Sequence, residues 1–276
     1  MSKLAEKFEK MGARVKIEQV QPQKINRPVG SRWRRVVREG VAPENFVRLD
    51  VRKDKEGTFF DIRAGINVDL EILDVKPKDR HLLLMARTDD GKSKFLCGHD
   101  ERDWFVAAIP ESSSASSVSS AMEALKPTPV HEAQSKKGLK SKEKKRRKTD
   151  AYIRQGEWFF IPANIKVDEK LVLQNEPLQR GRSKPHMAEF LYRIGGETVY
   201  VNSEHPNGMS AKSYAKLDKD KKKSGMFKTM VRDPKVYVKG KIRHSDHKTV
   251  ILDGWYLVEP NTETKAKAMR HVAFLD

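Results

Sequence analysis

From Phe46 onward the chain is written in short runs of alternating apolar and polar residues, cut every few positions by Gly, Pro, Asn or Asp. A period of two sends successive side chains to opposite faces, so these runs suit half-buried strands and not amphipathic helices. FVRLDVR, the KDKEG turn and TFFDIRA predict a hairpin. VDLEILDV predicts a further strand. HLLLMART predicts a buried strand joined through DDGK to SKFLCGHD, and DWFVAAIP a strand or one buried helical turn. Later come QGEWFFIPA, KLVLQNEPL, AEFLYRIGGETVYVN, KVYVKGKIRH and KTVILDGWYLVEP. Gly195-Gly196 between FLYRI and ETVYV predicts a tight hairpin, and SDHK predicts another between the last two strands.

The pattern predicts an α+β, mainly β fold with two small β-rich domains, residues 46–110 and 151–276. The second is expected to be barrel- or sandwich-like, with a lysine-rich loop at 210–228. Residues 1–45 predict a short helix over 2–11, with Leu4, Ala5, Phe8 and Met11 on one face, then an arm broken by Pro22, Pro28 and Pro43. Residues 111–150 predict a linker, serine-rich and then rich in Lys and Arg. SSAMEALK suits a short helix stopping before Pro127. Val130 to Arg154 favours helix but lacks an apolar stripe, which predicts a solvated basic helix or a disordered tether.

Charge is gathered, not spread. Lys24 to Arg38 holds six basic residues and no acid. Lys136 to Lys148 holds nine against Glu143, and Ser210 to Lys228 holds seven lysines against Asp218 and Asp220. These three stretches account for the net charge of +18. Such patches are the footprint of a protein that meets a polyanion. Candidate phosphate contacts are Lys142, Lys144, Lys145, Arg146, Arg147 and Lys148 in the linker and Lys221, Lys222 and Lys223 in the loop. In the arm, Arg32, Arg34 and Arg35 would grip phosphates while Trp33 stacks on a base. The linker tract also fits a targeting signal or a solubilising tether, and Trp33 equally fits a pin holding the arm to a folded domain.

Two clusters could carry chemistry. His244, Asp246 and His247 sit within four residues and could form part of a metal site or an acid–base pair. A metal would need a further ligand, for which His186 and His205 are the nearest candidates. The plain alternative is a polar hairpin loop. Cys97 and His99 flank Gly98, so an extended strand puts them on one face as a conceivable nucleophile–base pair. The alternative is a buried strand-end cysteine. Cys97 is the single cysteine, which excludes an internal disulfide and any multi-cysteine zinc site. No glycine-rich phosphate motif is present, and no cofactor is expected. No apolar run approaches membrane-spanning length and no signal-peptide core is present, so a soluble, cytoplasmic protein without membrane partners is expected.

FLCGHDERDWFVAAIP, RQGEWFFIP and VYVKGKIRHSDHKTVILDGWYLVEPNTE, within residues 70–276, resemble a family of bacterial proteins to which no activity is assigned. The resemblance implies a bacterial, cytoplasmic protein and nothing of mechanism. The functional expectation is a non-catalytic protein binding RNA or DNA through the arm, linker and loop. Its rivals are a metal-dependent hydrolase or nuclease built on His244, Asp246 and His247, and a protein-interaction module whose basic loops serve solubility.

Overall fold

The computed structural model describes residues 3–21, 44–180 and 184–266. The chain is mainly β with several sheets, as the alternation predicts. Helix α1 (Lys3–Lys10) buries Phe8 completely. The next segment departs from expectation, because Arg14–Val20 is strand β1 and not a loose arm. It runs parallel to β3 (Gly57–Gly65), whose other side pairs with β2 (Val47–Asp54) in the expected hairpin. The basic arm with Arg32, Trp33, Arg34 and Arg35 lies outside the described residues.

Strands β4 (Asp69–Lys76), β5 (His81–Thr88), β6 (Gly91–Asp100) and β7 (Asp103–Ile109) form an antiparallel meander. DWFVAAIP is thus a strand. The unbroken apolar run of β5 follows from burial on both faces. Leu82, Leu84 and Ala86 join a core with Phe8, Leu49 and Phe60. Leu83 joins a second core under helix α2 (Val118–Ala124), with Val118, Ala121 and Leu125. Ser117 opens α2 in a reciprocal cap: its hydroxyl accepts the Ser120 amide at 3.2 Å, and the Ser120 hydroxyl accepts the Ser117 amide at 3.0 Å.

The linker is a packed part of the fold. Helix α3 (Thr128–Lys136) buries Val130 completely against Ala151, Tyr152, Phe159 and Ile161. Val130 and Ala133, one turn apart, anchor this short helix without an extended apolar stripe. After the short helix α4 (Ser141–Lys144), backbone contacts tie the basic tract down. The Tyr152 hydroxyl donates to the Lys144 carbonyl at 2.8 Å, and Lys126 Nζ donates to the same carbonyl at 2.7 Å.

In the second half, β8 (Ile153–Gln155) and β9 (Trp158–Pro162) form a hairpin. They join β10 (Leu173–Leu178), β11 (His186–Ile194) and two later strands in one sheet. Gly195 and Gly196 do not make the predicted hairpin. At φ +72 and +92 they carry the chain out of this sheet into a small lobe. A Cβ on Gly196 would lie 2.8 Å from the Arg232 carbonyl, so only glycine lets the departing and returning chains cross. The lobe holds β12 (Glu197–Val201), β13 (Met209–Ser210), helices α5 (Ala211–Ala215) and α6 (Lys219–Ser224), and β14 (Lys228–Arg232). The expected lysine-rich loop is therefore a folded lobe, and α5 falls within the helix expected at AKSYAKL. The chain returns as β15 (Lys235–Arg243) and β16 (Val250–Pro260), the second expected hairpin. The large sheet has the order β10-β11-β15-β16-β9-β8 and does not close into a barrel. Trp158 and Phe160 face one core with Leu191, Val238 and Ile242, while Phe159 and Ile161 face α3. Among the described residues no helix is long and apolar enough to cross a membrane.

Val130→Ala is expected to lower stability by about 2 kcal/mol, since it deletes two buried methyl groups and leaves a void. Urea unfolding checks this. A tether would give no change.

Candidate metal centre

Strand register places the first pair of imidazoles. β11 and β15 pair with Met187 opposite Arg243, and one further step sets His186 opposite His244. Side chains opposite each other on an antiparallel pair share a face. The two rings accordingly stack with centroids 4.1 Å apart. His247, farther along the β15–β16 loop, turns back so that its ring lies 4.7 Å from His244 and 5.5 Å from His186. Each ring offers a nitrogen, and the three nitrogens lie within 4.8 Å of one another.

The β8–β9 turn supplies the floor. Gln155 and Trp158 close a two-residue hairpin with Gly156 at φ +57. A Cβ built on Gly156 would stand 2.8 Å from His247 Nε2 and 3.3 Å from His186 Nε2. Two ring nitrogens therefore flank the small space that the absent side chain leaves. Gln155 fixes the turn by donating to the Lys248 carbonyl at 2.7 Å, which ties it to the histidine loop.

The electrostatics favour neutral rings. His186 is 1% exposed, and burial pulls its pKa down to about 3. Burial also lowers His244 and His247. Neutral imidazole is the form that binds metal. His244 Nδ1 accepts the Asp246 amide at 3.1 Å, so this ring joins a metal only by giving up that bond. Both ring nitrogens of His186 and Nδ1 of His247 are buried without a hydrogen-bond partner. Glu101 stands behind His247, with Oε2 3.7 Å from Nδ1, and holds its place by accepting the Lys248 amide at 2.7 Å. A carboxylate behind one ring nitrogen, with the other turned to the centre, is the arrangement that orients metal-binding histidines.

Of the residues singled out in the sequence, His244, His247 and His186 come together. Asp246 does not join them and instead pairs with Lys184 at 3.0 Å. His205 lies in the small lobe, stacked on Phe227. Cys97 is fully buried in the core of the first half, where burial raises its thiol pKa and keeps it protonated. His99 packs against Trp104. This pair is therefore no nucleophile and base. Gly156 and Glu101 escaped sequence reading. The QGEW turn carried a signal for Gly156, whereas Glu101 lies 146 positions before His247 in the chain and carried none.

The linker tract lies against the same region. Arg147 pairs with Glu101 at 2.7 Å and with Asp100, and Arg154 reaches Asp100 at 2.7 Å. Lys142, Lys145, Arg146 and Lys148 are exposed, and none makes an ion pair among the described residues. Compared with protein-family models, curated proteins and solved structures, the chain shows no match.

Gly156→Ala is expected to push His247 aside and strain the turn, at about 1–2 kcal/mol for the left-handed backbone. It should also abolish metal uptake. Thermal unfolding with and without zinc checks both parts. Equal zinc stabilisation of wild type and variant would contradict the assignment of the floor.

Proposed function

We propose that the chain binds one divalent transition-metal ion, zinc by preference, through His186, His244 and His247. The orphaned nitrogens of buried His186 carry this reading. A polar atom buried without a partner costs about 1–3 kcal/mol, and a cation at the centre would relieve that cost. Three imidazoles suit zinc, cobalt, nickel or copper and not the hard cations that seek oxygen. Three protein ligands also leave a fourth position for water or an anion, the arrangement of a Lewis-acid centre.

Calorimetric titration of chelator-treated protein with zinc should give one ion per chain. His186→Ala or His247→Ala should weaken binding by more than the roughly 10–100-fold that loss of an outer partner such as Glu101 costs. Wild-type protein that takes up no zinc would overturn the reading.

A second function, binding of RNA or DNA, is favoured by the four exposed, unpaired cations of the linker tract. Their backbone is anchored and their side chains point to solvent, so they would meet phosphates without an ordering cost in the main chain. Replacing Lys142, Lys145, Arg146 and Lys148 with Gln should weaken binding of all oligonucleotides alike and flatten its salt dependence. Unchanged binding at low salt would exclude the tract.

A further inference from the structure

The small lobe ends in a strand whose outer edge no other described residue pairs with. In its sheet the order is β13-β12-β14, so β14 is an edge. Its pairing with β12 sets Met230 opposite Val199 and Val231 opposite Thr198, which sends Met230 and Val231 to opposite faces. Met230 is 53% exposed and Val231 54%, so about half of each side chain stands open on its own face. Met226, just before the strand, is 83% exposed. Edge strands are normally protected by central charges, proline or a covering element. Here Lys228 and Arg232 occupy only the two ends, and the middle reads Thr229, Met230, Val231. Val199 is the one buried residue of the lobe's three strands and two helices.

The charge around this edge is one-sided. From Met209 to Arg232 the chain carries seven lysines and one arginine against Asp218 and Asp220. Lys212, Lys216, Lys219, Lys221, Lys223 and Lys228 are exposed. A second copy of this lobe would bring like charge against like. Nucleic acid would satisfy the lysines but not the open backbone edge or the two aliphatic side chains. The aromatic groups that would serve stacking are already engaged with each other, Tyr200 on Tyr214 at 3.7 Å and Tyr214 against Phe227 at 5.1 Å.

We propose that β14 is a docking edge for an extended acidic segment of a partner protein, which adds as a fourth strand. Its backbone completes the ladder, its apolar residues cover Met230 and Val231, and its carboxylates meet the surrounding lysines. The site is independent of the histidine centre, since the lobe contributes none of the three ligands.

The test uses the full chain and a synthetic peptide of alternating glutamate and valine. A peptide of alternating lysine and valine and an oligothymidylate serve as comparisons. The acidic peptide should bind and should slow hydrogen exchange at the amides of Lys228–Arg232. The double variant Met230→Ser, Val231→Ser keeps every charge and removes the apolar contacts. It should bind the acidic peptide about tenfold more weakly or worse, while its circular dichroism matches wild type. Three results would overturn the proposal. One is equal peptide binding by wild type and variant. Another is protection of the β14 amides by oligothymidylate in place of the peptide. The third is self-association of the wild type that the double variant abolishes.

Discussion

Two adjacent carboxylates join the first half of this protein to the basic tract and the histidine loop. Asp100 and Glu101 sit at the turn between β6 and β7, and both are nearly buried. Asp100 takes Arg147 and Arg154, and Glu101 takes Arg147 and the Lys248 amide. Arg102 adds a contact to the Ser245 carbonyl. One turn of the first half thus grips both the basic tract and the loop carrying His244 and His247. Removing one partner of such a cluster leaves its mate desolvated and unpaired, which costs far more than a surface ion pair is worth. The position of the histidine loop, and so the geometry of the centre, depends on this grip.

Local pattern carried much of the fold. Strand period, the KDKEG, DDGK and SDHK turns and the Ser117 cap are local signals, and β2, β3, β5, β6, β15 and β16 follow them. The failures came where distant residues decide. Gly195-Gly196 has the chemistry of a hairpin, but the chain crosses itself there and no neighbour pairs across it. Arg14–Val20 becomes a strand because β3 offers it an open edge, a partner that is not adjacent in sequence. The basic linker looks solvated by composition, yet Val130 and Tyr152 pin it to the second half.

The site divides in the same way. His244 and His247 were legible because they are close in sequence. His186 belongs with them through strand register, a long-range property, and His205 was an equal candidate until the lobe carried it away. Gly156 matters for the space it leaves, and Glu101 for a contact made across the joint between the halves. The clustering of positive charge was also legible, but its meaning changed. The tract is packed onto the fold beside the histidines, and the lysine-rich segment builds a lobe of its own.

These features converge on an imidazole centre whose rings are biased by burial toward the neutral form, stacked and partly unsatisfied, with a carboxylate behind one of them and a glycine beneath two. X-ray absorption at the zinc edge, on zinc-loaded full-length protein, tests this claim most directly. The account predicts three nitrogen neighbours at about 2.0 Å with the outer-shell scattering of imidazole rings. A spectrum showing only oxygen neighbours, or one unchanged in His186→Ala, would contradict it.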